Sequence, residues 1–331
     1  MKKLVIICFL LVLILACFTV CALAAKTYEL HAAYVVAENP NSQHTIKFNM
    51  FKEIVEAKTG GNVKIIIHPG GELGGEREYC EMLQAGELAF ASLGTGPFSG
   101  FTDALKFYDT PMLFASGDQV IDFTHSEVAK ARLEKLKDIG LVGLAANYVG
   151  SRNFLTVKDK PINSLADLKG LKIRTTETPI QIDAMTILGG NPTPMPYTEC
   201  YQSLQTGVID GMENEVDTYL AMRFYEVAPN YSKAGWVQLV HIFTASKSIM
   251  DSLPQEYQDI IIDAGLEAGD YATEKGLEFA KINSADALKK AGVNVIEIDN
   301  TEFREKLEPL IEKYKDQIGQ DVIDWLTANQ M

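Results

Sequence analysis

Basic residues are in the minority in this chain: 30 Lys plus Arg stand against 44 Asp plus Glu in 331 residues. Nucleic-acid binding rests on basic patches that neutralise phosphate, so no nucleic-acid partner is expected. Histidine is scarce too. His31, His44, His68, His125 and His241 fall in no H-E-x-x-H or other metal-ligand spacing and read as structural residues. No C-x-x-C, G-x-S-x-G or P-loop occurs, so the redox, hydrolase and nucleotide signatures with a defined mechanism are missing. Gly94-Thr95-Gly96 resembles the start of a dinucleotide fingerprint, but Pro97 intervenes and Gly100 comes one position late. No metal, cofactor or catalytic constellation is therefore expected. Internal repeats and low-complexity linkers are absent, and beyond residue 25 no apolar run is long enough to span a bilayer.

Residues 1–25 hold no acid. Lys2 and Lys3 open them, an apolar run follows to Val20, and Cys21-Ala22-Leu23-Ala24-Ala25 closes them. These are the three parts of a secretory signal, with cleavage expected after Ala24 or Ala25. A retained anchor and lipidation at Cys17 are the alternative readings. Removal leaves 28 bases against 44 acids, and takes away Cys8, Cys17 and Cys21. Cys80 and Cys200 remain. Both sit in amphipathic helical patterns more than 100 residues apart, and two separate buried thiols are expected rather than a disulfide. About 300 residues suggest two domains at roughly 150 each.

Short apolar runs alternate with helical patterns. Residues 27–33, 63–68 and 88–93 read as strands; between them a helical stripe runs from Phe48 through Val55 up to Lys58, and another over 76–85. This β-α-β-α-β order predicts an α/β fold with a mostly parallel sheet. A second set follows: strands at 142–148, 152–157, 171–174 and 208–212, helices at 179–188 and 198–204, and a capping box at Ser164–Asp167. From Pro254 to about residue 291 the apolar spacing stays helical, which would make a helix about 57 Å long if unbroken. Gly265, Gly269 and Gly276 are its candidate bends.

Two arginines stand out by position. Arg174 ends an apolar strand just before Thr175-Thr176-Glu177-Thr178-Pro179, at the sheet edge where open α/β folds present ligand contacts. Arg152 lies where the first set hands over to the second. Guanidinium makes two parallel hydrogen bonds to a carboxylate and keeps its charge when desolvated. Two arginines facing one cleft would form a carboxylate trap; surface arginines paired with Asp183 or Glu177 are the plainer alternative. Tyr197, after the rigid Pro192–Pro196 stretch, is a candidate pocket wall, and the Asn214 amide a candidate ligand contact.

These residues carry a resemblance. The stretch Ile162-Asn163-Ser164-Leu165-Ala166-Asp167-Leu168-Lys169-Gly170-Leu171-Lys172-Ile173-Arg174, then Pro192-Thr193-Pro194-Met195, then Tyr201-Gln202-Ser203-Leu204-Gln205-Thr206-Gly207-Val208-Ile209-Asp210-Gly211 and Glu213-Asn214, resembles the DctP-type solute-binding proteins of TRAP transporters. Leu73-Gly74-Gly75-Glu76-Arg77 and Phe224-Tyr225-Glu226-Val227 add to it. The resemblance implies a two-domain periplasmic-binding-protein-like fold, with a ligand cleft between the domains and a long helix spanning both. It divides the chain into a signal peptide (1–25), domain 1 (26–150 plus 240–279) and domain 2 (151–239 plus 280–331). It implies a non-enzymatic periplasmic receptor that captures a small organic acid by closing around it and delivers it to TRAP membrane subunits. The implied ligand residues are Arg174, Arg152, Asn214 and Tyr197, with Tyr34 or Val35, Glu76, the Gly94-Thr95 turn and Trp236 completing the pocket. Glu215 replaces a frequent proline, and Gly94-Thr95 stands where sialic-acid-binding members carry an acid, which argues against sialic acid. A sensor subunit that presents bound acid to a membrane kinase, and a secreted carboxylate-pair hydrolase, are the other functions to weigh.

Overall fold

Strands from both halves join one continuous sheet. A computed structural model describes residues 26–282 and 284–329; the expected signal, residues 1–25, lies outside them. In the first half, β1 (Tyr28–Ala33) runs parallel to both β2 (Val63–His68) and β3 (Phe90–Gly94), with the helices Gln43–Lys58 and Glu76–Ala85 as crossovers. In the second half, β5 (Lys172–Thr175) runs parallel to both β6 (Asn191–Pro194) and β7 (Gly211–Asn214). Between them lie two long antiparallel strands, β4 (Leu141–Thr156) and β8 (Asn230–Ser246), and β9 (Asn294–Glu297) pairs with β8 off the main path. The order is β2-β1-β3-β8-β4-β7-β5-β6.

The parallel halves follow the expectation; the antiparallel centre differs from it. Two strands expected around Gly150 are one strand, β4, whose pairing with β8 shifts register near Gly143, Gly150 and Asn153. The first two shifts insert one residue in β4 and the third inserts three in β8, and the pairing resumes after each. Two of the three shifts fall at 148–154, where the chain passes from one half to the other, so the crossing is a bent two-stranded ribbon.

The helix Gln255–Ile282 has 28 residues and is about 42 Å long, shorter than the expected 57 Å, and Ser284–Lys290 forms a second helix. Its glycines seat it and do not break it. Gly265, Gly269 and Gly276 are buried, and a Cβ at these positions would press on Leu144, Asn147 and Gln43 respectively. Helix and sheet thus approach closely along the crossing strand. The last helix, Gln320–Ala328, returns to the first half: Trp325 packs edge-on against Phe123, and Arg132 Nε donates to Asp321 at 2.9 Å. Cys80 and Cys200 are both free and buried. No helix among the described residues is long and apolar enough to cross a membrane.

Candidate functional site

A cavity opens where the carboxyl ends of the parallel strands from both halves face each other. It encloses about 490 Å³ including its mouth. Val35 and Val36 follow β1, Gly94 ends β3, Arg174 sits in β5 and Asn214 ends β7, while Arg152 and His241 come from the central ribbon. The sheet edge that the sequence singled out is therefore doubled, one edge on each side.

Arg174 is 4% exposed. Its Nε donates to the Met195 carbonyl at 3.1 Å, which fixes the side chain. Among the described residues its terminal nitrogens have no partner, and no carboxylate lies within 4 Å of it. The Tyr197 ring lies beneath the guanidinium, 6.0 Å from it. Asn214 donates to the Tyr197 hydroxyl at 3.3 Å, which leaves that hydroxyl free to donate to something else. Arg152 is held differently. Its Nε lies 2.5 Å from a Glu213 oxygen, and Glu213 is fully buried. Burial raises the Glu213 pKa, and the positive charges of Arg152 and Arg174 oppose the rise.

The far wall is acidic and neutral. Glu76 accepts from the Gly94 amide at 2.7 Å, and burial raises its pKa. Thr95 donates its hydroxyl to Asp109 Oδ1 at 2.8 Å. Burial pushes the Asp109 carboxyl up to about 7. His44 and His241 complete the wall, and burial keeps both neutral, His44 being lowered to about 3. Behind them Lys47 donates to Ser92 at 2.6 Å, its own pKa lowered by burial to about 7.

Six of the seven residues singled out from sequence meet in this wall: Arg152, Arg174, Asn214, Tyr197, Glu76 and Thr95. Trp236 does not. It is wholly buried against Phe154, with ring centroids 5.6 Å apart. Its Nε1 has no partner with full hydrogen-bond geometry, yet its N–H still favours the Glu213 carboxylate, so it stands one layer behind Arg152. Val35 lines the cavity, while the Tyr34 hydroxyl turns away to Thr45 at 3.0 Å. His44 and His241, read from sequence as structural, also line the cavity, and so does Asp109, which the sequence reading did not single out. Asp109 gave a signal, an acid directly after Phe107-Tyr108, since a charge inside an aromatic run needs a buried partner.

With the geometry in place, comparison with known proteins gives a family. The model of the DctP family, bacterial extracellular solute-binding protein family 7, matches residues 33–317. The chain belongs to that family. The 2,3-diketo-L-gulonate-binding periplasmic protein YiaO of Escherichia coli is 31% identical over 297 residues, 88% of each chain. The crystal structure of a sugar acid binding protein from Advenella mimigardefordensis in complex with galactonate superposes with a TM-score of 0.87 at 28% identity, covering 92% of this chain and 98% of that one. A TRAP periplasmic solute binding protein from Shewanella oneidensis with bound succinate has a TM-score of 0.85 at 26% identity, covering 91% and 99%. These DctP-family relatives are ligand-binding transport proteins, one with a sugar acid and another with a dicarboxylate bound.

The halves also touch outside the ribbon. Asp217, in the helix Val216–Ala221, accepts from the Gln43 amide at 3.0 Å and the Ser42 hydroxyl at 3.1 Å. The Ala37 amide meets Met222 Sδ at 3.1 Å, and a Cβ on Gly96 would lie 3.1 Å from Thr176. Residues expected in different domains are thus in contact.

Proposed function

We propose that this DctP-family protein is the exported receptor of a TRAP transporter. It takes a small organic acid into the cleft, with the acid's carboxylate on Arg174, and hands the closed complex to membrane subunits encoded elsewhere. One observation carries this reading: Arg174 is a buried, backbone-anchored guanidinium with no anionic partner among the described residues. A desolvated charge left unpaired is costly, and a ligand carboxylate supplies two charge-assisted hydrogen bonds in the matching geometry. Tyr197 and the Asn214 amide stand beside it as further donors. The galactonate, diketogulonate and succinate of the relatives all present such a carboxylate.

Capture works by population shift. Arg174, Tyr197 and Asn214 belong to the second half, while Glu76, Thr95 and Asp109 belong to the first. A ligand that spans them gains all its contacts only when the cleft is shut, so its binding favours the closed form.

A thermal-melt screen tests the reading, using protein unfolded and refolded to strip carried-over ligand. Ligand at 1,000 times its dissociation constant stabilises the native state by about 4 kcal/mol, a shift of several degrees. Shifts are expected with acids and not with neutral sugars or amino acids. Arg174→Ala removes a charged pair worth about 2–5 kcal/mol in a desolvated site, roughly 30- to several-thousand-fold in affinity, and should abolish the shift while the fold persists. Equal binding by Arg174→Ala would refute the assignment.

A further inference from the structure

We propose that Asp109, together with Glu76, selects the cargo: a polyhydroxylated monocarboxylate whose hydroxyls donate to these two groups, in preference to a dicarboxylate. The inference rests on Arg174 being the carboxylate anchor.

The charges around the cavity decide it. Two positive side chains reach its wall, Arg152 and Arg174. Arg152 already faces Glu213 as an ion pair, Nε 2.5 Å from the carboxylate, so of these two Arg174 is the one with no carboxylate within 4 Å among the described residues. His44 and His241 are held neutral by burial, and Lys47 lies behind the wall, bonded to Ser92. On the other side stand two carboxyl groups. The second carboxylate of a dicarboxylate would have no free cation to meet and two acids to avoid, and like charges in an enclosed site oppose binding strongly.

Hydrogen-bond needs point the same way. Asp109 is 3% exposed. Its Oδ1 receives Thr95 at 2.8 Å and Gln181 at 3.5 Å, while Oδ2 is buried without a partner among the described residues. Glu76 spends one oxygen on the Gly94 amide, and its other oxygen meets no donor among the described residues. Buried acceptors left unsatisfied are costly, and sites built to bond a hydroxyl reject ligands that lack it. A ligand hydroxyl on Oδ2 would also hold Asp109 ionised against the burial that lifts its pKa, whose other charged neighbours are Arg152, Glu213 and Glu76. Gln181 belongs to the second half, so the acceptor is oriented from both sides of the cleft.

The test is a binding panel at pH 8 with D-galactonate, D-gluconate and D-galacturonate against succinate and L-malate. At least one hydroxy acid should bind about 100-fold more tightly than succinate, the scale of an uncompensated like-charge contact. Asp109→Asn should weaken that acid about 10- to 100-fold and strengthen succinate, so that the preference collapses. If Asp109→Asn does not fold, Thr95→Val keeps the carboxylate but releases its Oδ1, and should narrow the same ratio. Succinate bound by the native protein as tightly as every hydroxy acid overturns the selection while leaving the Arg174 anchor standing. Asp109 also borders a smaller void beside Thr178 and Ile318. If Oδ2 is satisfied there by water, Asp109→Asn will change all acids in equal proportion, and the proposal falls. Binding of no acid, with Arg174→Ala indistinguishable from native protein, defeats the receptor reading and this inference with it.

Discussion

Arg152 and Glu213 are nearly dry, 7% and 0% exposed, with 2.5 Å between Nε and the carboxylate. Removing one partner of such a pair leaves a buried charge with nothing to face, which costs about 3–5 kcal/mol. Glu213→Gln should therefore lower the ligand-free urea midpoint markedly. A bound acid should then restore more stability than it gives the native protein, because Arg152 becomes a second anchor. An unchanged midpoint would mean that the pair is not ionised. At this scale the sequence showed the arginines better than their acids. Arg174 announces itself as a cation closing an apolar strand before a threonine-rich turn. Glu213 stood in a quoted motif without a role, because its partner lies some 60 residues away and only the β4–β7 register, Phe154 opposite Glu213, brings them together. Asp109 ends a single short 3-10 turn, Lys106–Asp109, too brief for any periodicity to assign a direction to its side chain.

The central ribbon and the long helix form one mechanical unit, and Gly269 shows how tightly they fit. Alanine there would gain about 1 kcal/mol of helix propensity, but its Cβ would overlap Asn147, a short and buried side chain with no room to swing. Overpacking costs about 1–3 kcal/mol, so Gly269→Ala should destabilise on balance, read as a lower urea midpoint. The Asp217 bonds to Ser42 and Gln43 act between elements, because they join the amino end of one half's helix to the other half. Asp217→Ala should leave the melt of the ligand-free protein close to native and speed release of a bound acid about tenfold in stopped-flow, the worth of one charged hydrogen bond. Native release kinetics would show that closure does not depend on this contact. The parallel strands were legible because amphipathic helices punctuate them. β8 was not, since 14 of its 17 residues are buried and give no polar alternation to mark a strand. β4 looked like two strands because Gly150 and Ser151 interrupt its apolar pattern at the bend.

Across the whole molecule the buried titratable groups are mostly acids with raised pKa values. Asp109 rises to about 7, Asp217 to about 6 and Glu215 to about 8, with Glu76 and Glu213 moving the same way, all chiefly through burial; Asp217 pushes Glu215 further up. A raised carboxyl keeps in the folded chain a proton that the unfolded chain has already released. Its contribution is therefore complete below the ordinary carboxylate range and is lost as pH climbs through the raised value. His44, lowered to about 3, and His241 act in the opposite sense, adding stability as pH rises toward about 6.5, their ordinary range. Between about pH 5 and 6.5 Asp109, Asp217 and Glu215 outweigh the two histidines, so stability should fall. The net charge of −14 grows with pH and adds self-repulsion of the same sign. Above about pH 7 the decline should flatten, because Lys47 then begins to oppose Glu215. The expected result is a higher urea midpoint at pH 5 than at pH 7, by at least about 1 kcal/mol, the equivalent of one carboxyl displaced by less than a full pH unit. Asp109→Asn removes one of these three acids and should reduce the slope. Stability that rises from pH 5 to 7 would mean these carboxyls are ionised and matched inside the fold, and the dry, under-partnered cleft described above would then be wrong.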